Sequence, residues 1–140
     1  MKILILVLVL LGTSSSLFVQ TNFSLTITIT GFSSNDGKAS IALYRVSDHF
    51  PGEKTQYKGK IVSIEHKKAI VIFENLPKTK YAVAVFHDKN KNGILDKNMF
   101  GIPLEKYGFS NNARETFSAP SFESAAINLD KNKSIAIFVK

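Results

Sequence analysis

Residues 23–30 read Phe-Ser-Leu-Thr-Ile-Thr-Ile-Thr. Apolar and polar side chains alternate without a break. Phe23, Leu25, Ile27 and Ile29 fall on one side, and Ser24, Thr26, Thr28 and Thr30 on the other. A period of two, rich in β-branched residues, is the pattern of a strand that buries one face. A helix would scatter the same apolar side chains around its axis.

The chain downstream repeats this pattern. Gly31 to Gly37 interrupts it with Ser-Ser-Asn-Asp-Gly, which is turn chemistry. Lys38 to Arg45 then resumes, with Ile41 and Leu43 on one face, and these first two strands are expected to pair as a hairpin. Val46 to Gly59 is polar and irregular. Strands are expected over Lys60–Glu65 and Lys68–Glu74, on either side of His66-Lys67. Lys80 to Asp88 carries Tyr81, Val83 and Val85 against Ala82, Ala84 and Phe86. Both of its faces are apolar, as in a central strand covered on both sides. A final hairpin is expected from Ser124–Leu129 and Ser134–Val139. Between them, Gly108 and Asn111-Asn112 limit any helix in Glu105–Ala113 to a short turn. About seven strands with frequent turn signals define an all-β chain, an immunoglobulin-like or transthyretin-like antiparallel sandwich.

Ahead of the first strand stands a different kind of segment. Met1-Lys2 is a basic start, Ile3 to Leu11 is wholly apolar, and Gly12-Thr13-Ser14-Ser15-Ser16 is small and polar. This is the layout of a secretory signal, with cleavage expected between about Ser16 and Gln20. The apolar run is too short to span a bilayer, so no stable membrane span is expected after processing. Residues 1–20 are read as the leader and 21–140 as one sandwich domain, an exported product that is periplasmic, secreted or held at the cell envelope.

The formal charge is +7 over 140 residues, and it falls by one when Lys2 leaves with the leader. The lysines are dispersed, and the arginines are only Arg45 and Arg114. Base readout leans on arginine, so a nucleic-acid partner is not expected. With no cysteine in the chain, disulfides, thiolate metal sites and a cysteine nucleophile are all excluded.

One loop carries metal-like spacing. Asp88, Asn90 and Asn92 alternate, Gly93 follows, then Ile94 with its carbonyl, and then Asp96. Alternate oxygens on a tight loop can converge on a hard cation, and calcium is the candidate. The bidentate glutamate that would complete an EF-hand loop is replaced by Met99, which predicts weak binding at best. Asp130 and Glu123 are the remote carboxylates considered as substitutes. The competing reading is a metal-free Asn-Gly turn.

The next stretch, Phe100 to Arg114, is a long loop of glycines, aromatics and amides. His87, Tyr107, Asn111, Asn112 and Arg114 are the candidates for holding a saccharide or protein ligand, by stacking and planar hydrogen bonds. A packed loop that plugs the end of the sandwich is the alternative. No nucleophile elbow occurs, and His49, His66 and His87 lack zinc spacing. A non-enzymatic module is therefore expected. A hydrolase built on His87 with Asp88 is the weaker alternative, and a spacer stiffened by calcium is the structural one.

Leu76-Pro-Lys-Thr-Lys-Tyr81-Ala-Val-Ala-Val-Phe-His87-Asp88, with Asn90, Asn92 and Gly93, is followed by Gly101-Ile-Pro103 and by Tyr107-Gly-Phe-Ser-Asn-Asn-Ala113. This combination resembles the bacterial family known as domain of unknown function 2141, from about Leu25 to Val139. The resemblance implies an exported β-sandwich and implies no reaction. Lys78-Thr79-Lys80 departs from the Pro-Gly-Thr common in such modules, which bears on the geometry of that turn.

Overall fold

The structure is a computed structural model that describes residues 21–140. The leader expected at 1–20 lies outside the described residues. Among the described residues there are eight strands: β1 Asn22–Thr30, β2 Lys38–Arg45, β3 Lys58–Val62, β4 Lys68–Pro77, β5 Thr79–Asp88, β6 Tyr107–Phe109, β7 Ile127–Leu129 and β8 Lys133–Phe138. A 3₁₀ turn at Ser110–Asn112 and a one-turn helix α1 at Phe122–Ala125 are the helical elements among the described residues.

The strands form two sheets, β4-β1-β8 and β3-β2-β5-β6, with β7 pairing the start of β5. All pairs are antiparallel except β1 with β8, which run parallel. The all-β sandwich expected from the alternation is the observed class.

Two expected pairings are corrected. β1 and β2 are not a hairpin: β1 pairs β4 and β8, while β2 pairs β3 and β5 in the other sheet. Nor do the last two strands pair with each other, because β7 joins β5 and β8 joins β1. The same need for burial explains both cases. Each connection carries the chain across the core, so that consecutive apolar faces meet face to face rather than lying side by side.

Leu25, Ile27 and Ile29 of β1 are fully buried against Ile41 and Leu43 of β2, Val71 and Phe73 of β4, and Val83 and Val85 of β5. Burying each such side chain contributes about 1.5–3 kcal/mol, the main favourable term here. β3 ends at Val62, short of the expected Glu65. Beyond it, Ile64 turns into the core and the chain crosses to the other sheet. There His66 and Lys67 take left-handed backbone, with φ of 50° and 56°, and close a two-residue turn between Glu65 and Lys68.

Candidate functional site

The register of the five-stranded sheet fixes what its outer face looks like. Ile41, Leu43, Val83 and Val85 point into the core, so their neighbours point out. One outward row across the sheet is Ile61, Ser40, Phe86 and Tyr107. The next is Gly59, Ala42, Ala84 and Phe109. The third contains Tyr44 opposite Ala82. The middle row carries nothing larger than a methyl group until Phe109 closes it. A trough therefore crosses the strands between two taller rows, which lie about 14 Å apart at the backbone.

Aromatic contacts build one wall. Tyr44 meets Phe50 edge to face at 5.2 Å, and Phe50 meets Phe109 at 5.7 Å and Phe122 at 6.1 Å. The Tyr44 hydroxyl donates to the Gly52 carbonyl at 2.8 Å. Burial pushes its phenol above the ordinary range, and the nearby Asp48 and Glu53 carboxylates add to this. Phe100 and Ile102 on one side and Phe117 on another extend the walls, giving a cleft of about 1210 Å³. Lys54, Lys60 and Lys97 stand at its margin with Glu53 and Glu115.

The residues expected to bind a polar ligand are distributed differently. Tyr107 does line the cleft. Arg114 stacks on its ring at 5.0 Å and donates from Nη2 to its carbonyl at 2.8 Å. Asn111 donates to the carbonyls of Ser124 and Ala126, at 3.2 and 2.9 Å, and so ties down α1. The Asn112 Oδ1 accepts from the Phe138 amide at 2.9 Å and caps β8. These two asparagines have left-handed φ of 58° and 49°, a conformation that suits their side chains.

His87 sits in the core layer opposite Ala39, only 2% exposed. Its Nε2 donates to the Asp36 carbonyl at 2.7 Å, its Nδ1 lies 3.4 Å from the Ser33 hydroxyl, and its ring meets Phe32 edge to face. Asp88, the next residue, faces the other way.

Asp88 organises the loop that follows. Its two carboxylate oxygens accept from the Asn92 and Gly93 amides, at 3.0 and 2.9 Å. Asn90 and Asn92 both donate their side-chain amides to Asp96. Their oxygens accept in turn from the Asn92 and Ile94 backbone amides, at 3.1 and 2.9 Å. The third carboxylate at this loop is Glu105, which accepts from the Lys89 and Asp96 amides. Neither expected substitute takes that place: Glu123 pairs with Lys80, and Asp130 lies near Lys133. Among the described residues no three His, Cys, Asp or Glu side chains gather as a metal site. Ile94 is exposed and lines the cleft.

The trough itself was hidden from the sequence reading. Its signal is the small residue at alternate positions, in Ala42 of β2 and in Ala82 and Ala84 of β5. The apolar outer face of β5 reads as a covered one. Ala82 is indeed covered, by Phe109 and Ala125, but Ala84 and Phe86 are only half-buried and line the cleft, Ala84 on its floor and Phe86 in the row beside it.

A family model described as "Uncharacterized protein conserved in bacteria (DUF2141)" matches residues 27–136. Among curated proteins nothing matches the chain. Among solved structures the chain is similar to a pilus-presented adhesin, at 15% identity and a TM-score of 0.32, over 86% of this chain and 26% of that one. It thus spans about a quarter of that adhesin's length, and a likeness this distant carries nothing about ligand or role.

Proposed function

We propose that this chain, which belongs to the bacterial DUF2141 family, is a non-catalytic binding module of the cell envelope that seats a slender apolar ligand in the trough of its five-stranded sheet. The observation that carries this reading is the middle row Gly59–Ala42–Ala84, a floor of minimal side chains between aromatic walls. Ligand sites are concave and mostly apolar, with few polar groups to orient what they hold. Asn111 and Asn112, expected to grip a saccharide, do not line the cleft and each holds a backbone group, which favours a hydrocarbon segment over a sugar there. The leader-like residues 1–20 support placement at the envelope.

Filling the floor tests the reading. A Cβ added at Gly59 meets nothing closer than 3.6 Å, so the strand has room for the first carbon of Gly59→Leu, and an unchanged Tm checks that the fold is kept. Titration with a dansyl-labelled undecanoate, followed by fluorescence, should show saturable binding. Both Gly59→Leu and Ala42→Leu should weaken that binding by about tenfold. Unchanged binding in both variants, or no binding by the wild type, removes the trough as a site.

A further inference from the structure

We propose that the tip of the β5–β6 connection inserts into the interface of an anionic lipid surface. The claim goes beyond the trough: Phe100, Ile102 and Phe117 also line the cleft, but Met99 and Leu104 do not. Residues 96–104 form a small pinned loop. Lys97 bridges to Pro103, and Leu104 donates its amide to the Asp96 carbonyl at 2.8 Å. Asn98 closes the tip: its side-chain oxygen accepts from the Phe100 and Ile102 amides, at 2.9 and 3.0 Å, and its carbonyl accepts from Gly101. Gly101, at φ of 77°, supplies the left-handed turn.

This fixed tip carries its apolar side chains outward. Met99 is 90% exposed, Phe100 79%, Leu104 68% and Ile102 58%. The neighbouring segment adds Phe117, fully exposed. Soluble surfaces scatter single apolar residues, and a run of this kind on one pinned loop marks a contact surface.

The charges choose the occupant. The carboxylates of Asp88, Asp96 and Glu105 accept from N–H donors within the loop, and the chain as a whole carries a formal charge of +7. Lys89, Lys91 and Lys97 are exposed, and none takes part in the three ion pairs among the described residues. Exposed methionine and phenylalanine at a tip, with exposed lysines on the same connection, complement an interface where hydrocarbon meets anionic headgroups. Among the described residues no helix is long and apolar enough to cross a membrane.

The chain has no tryptophan, so Phe100→Trp gives a single indole reporter. Both sheets and their core lie within residues 21–140, and this piece is the one to use, which keeps the apolar leader out of the measurement. Vesicles of phosphatidylglycerol and phosphatidylcholine should shift the indole emission to the blue, and rising sodium chloride should reverse the shift. Met99→Ser with Leu104→Ser should abolish vesicle co-sedimentation at unchanged Tm. Replacing Lys89, Lys91 and Lys97 by alanine should weaken binding about fivefold per lysine. Gly59→Leu should bind vesicles like the wild type, which separates this claim from the trough. Absence of any shift, equal binding to pure phosphatidylcholine, or a soluble dimer dissolved by the Met99→Ser/Leu104→Ser change would each overturn the proposal.

Discussion

At Asp88 one side chain settles how the longest connection begins. Its carboxylate holds the Asn92 and Gly93 amides, and it is itself buried. Asp88→Ala leaves both donors without that acceptor and should cost about 2 kcal/mol, read from urea denaturation. The same geometry bears on calcium. A cation drawing on Asn90, Asn92 and Asp96 would compete with the hydrogen bonds these side chains make with one another and with the backbone. Several millimolar calcium should therefore move the wild-type Tm by less than about 1 °C, because only a ligand that binds the folded state raises stability. A rise of many degrees would show that an ion reorganises the loop. Alternating oxygens followed by Gly93 were readable from sequence, and so was the loop they predict. Their partners were not, since Glu105 braces the loop from well beyond it. Ser110 was equally hidden: a buried serine whose hydroxyl donates to the Ala125 carbonyl and accepts from the Val83 amide at 2.9 Å.

For the elements, alternation located strands far better than it located their neighbours. β2 runs from Lys38 to Arg45 as the pattern predicts, because alternation is a local consequence of burying one face. Pairing is not local. The short turns that invited hairpins at 31–37 and 130–133 instead carry the chain between layers, and no residue type in them records that choice. One glycine does record a crossing. At Gly108 a Cβ would sit 2.8 Å from the Phe138 carbonyl oxygen and 3.1 Å from the Ile137 side chain, where β8 passes β6. Just past β8, the amides of Tyr107 and Lys140 each donate to the other's carbonyl, at 3.4 and 3.2 Å, and join the chain to β6 there. Gly108→Ala should destabilise by about 1–3 kcal/mol and speed hydrogen exchange at both amides. Exchange unchanged at Lys140 would mean that the crossing yields without loss. At the opposite side, Lys60 donates Nζ to the Ile72 carbonyl at 2.6 Å, covering the edge of β4 with a charge that discourages strand addition.

At the largest scale the described residues form two layers, and Tyr81 links them where the chain passes from β4 to β5. Its hydroxyl donates to the Pro77 carbonyl at 2.9 Å, which fixes the Leu76-Pro77 turn, and Leu76 is buried in the shared core. This is the corner that the Leu-Pro-x-x-x-Tyr spacing encodes, and it forms with Lys78-Thr79-Lys80 inside it. The ring stacks near Tyr57 at 6.2 Å. Burial first, and the neighbouring Tyr57 second, push the Tyr81 phenol up to about 12, against a smaller opposing effect of Arg45. An unfolded phenol ionises near pH 10. Between pH 10 and 12 the unfolded chain therefore releases this proton while the folded chain keeps it. The unfolded state then binds fewer protons, and stability falls as pH rises. The contribution is whole below pH 10 and is lost through pH 12. Tyr81→Phe should cost about 1 kcal/mol at neutral pH, the worth of one buried hydrogen bond. It should also flatten the alkaline decline, leaving the part due to Tyr44, whose phenol is raised as well. Urea midpoints at pH 7, 10, 11 and 12 for wild type and variant measure both effects. Parallel declines in the two proteins would place the alkaline sensitivity elsewhere and remove the corner as the proton-linked joint between the sheets.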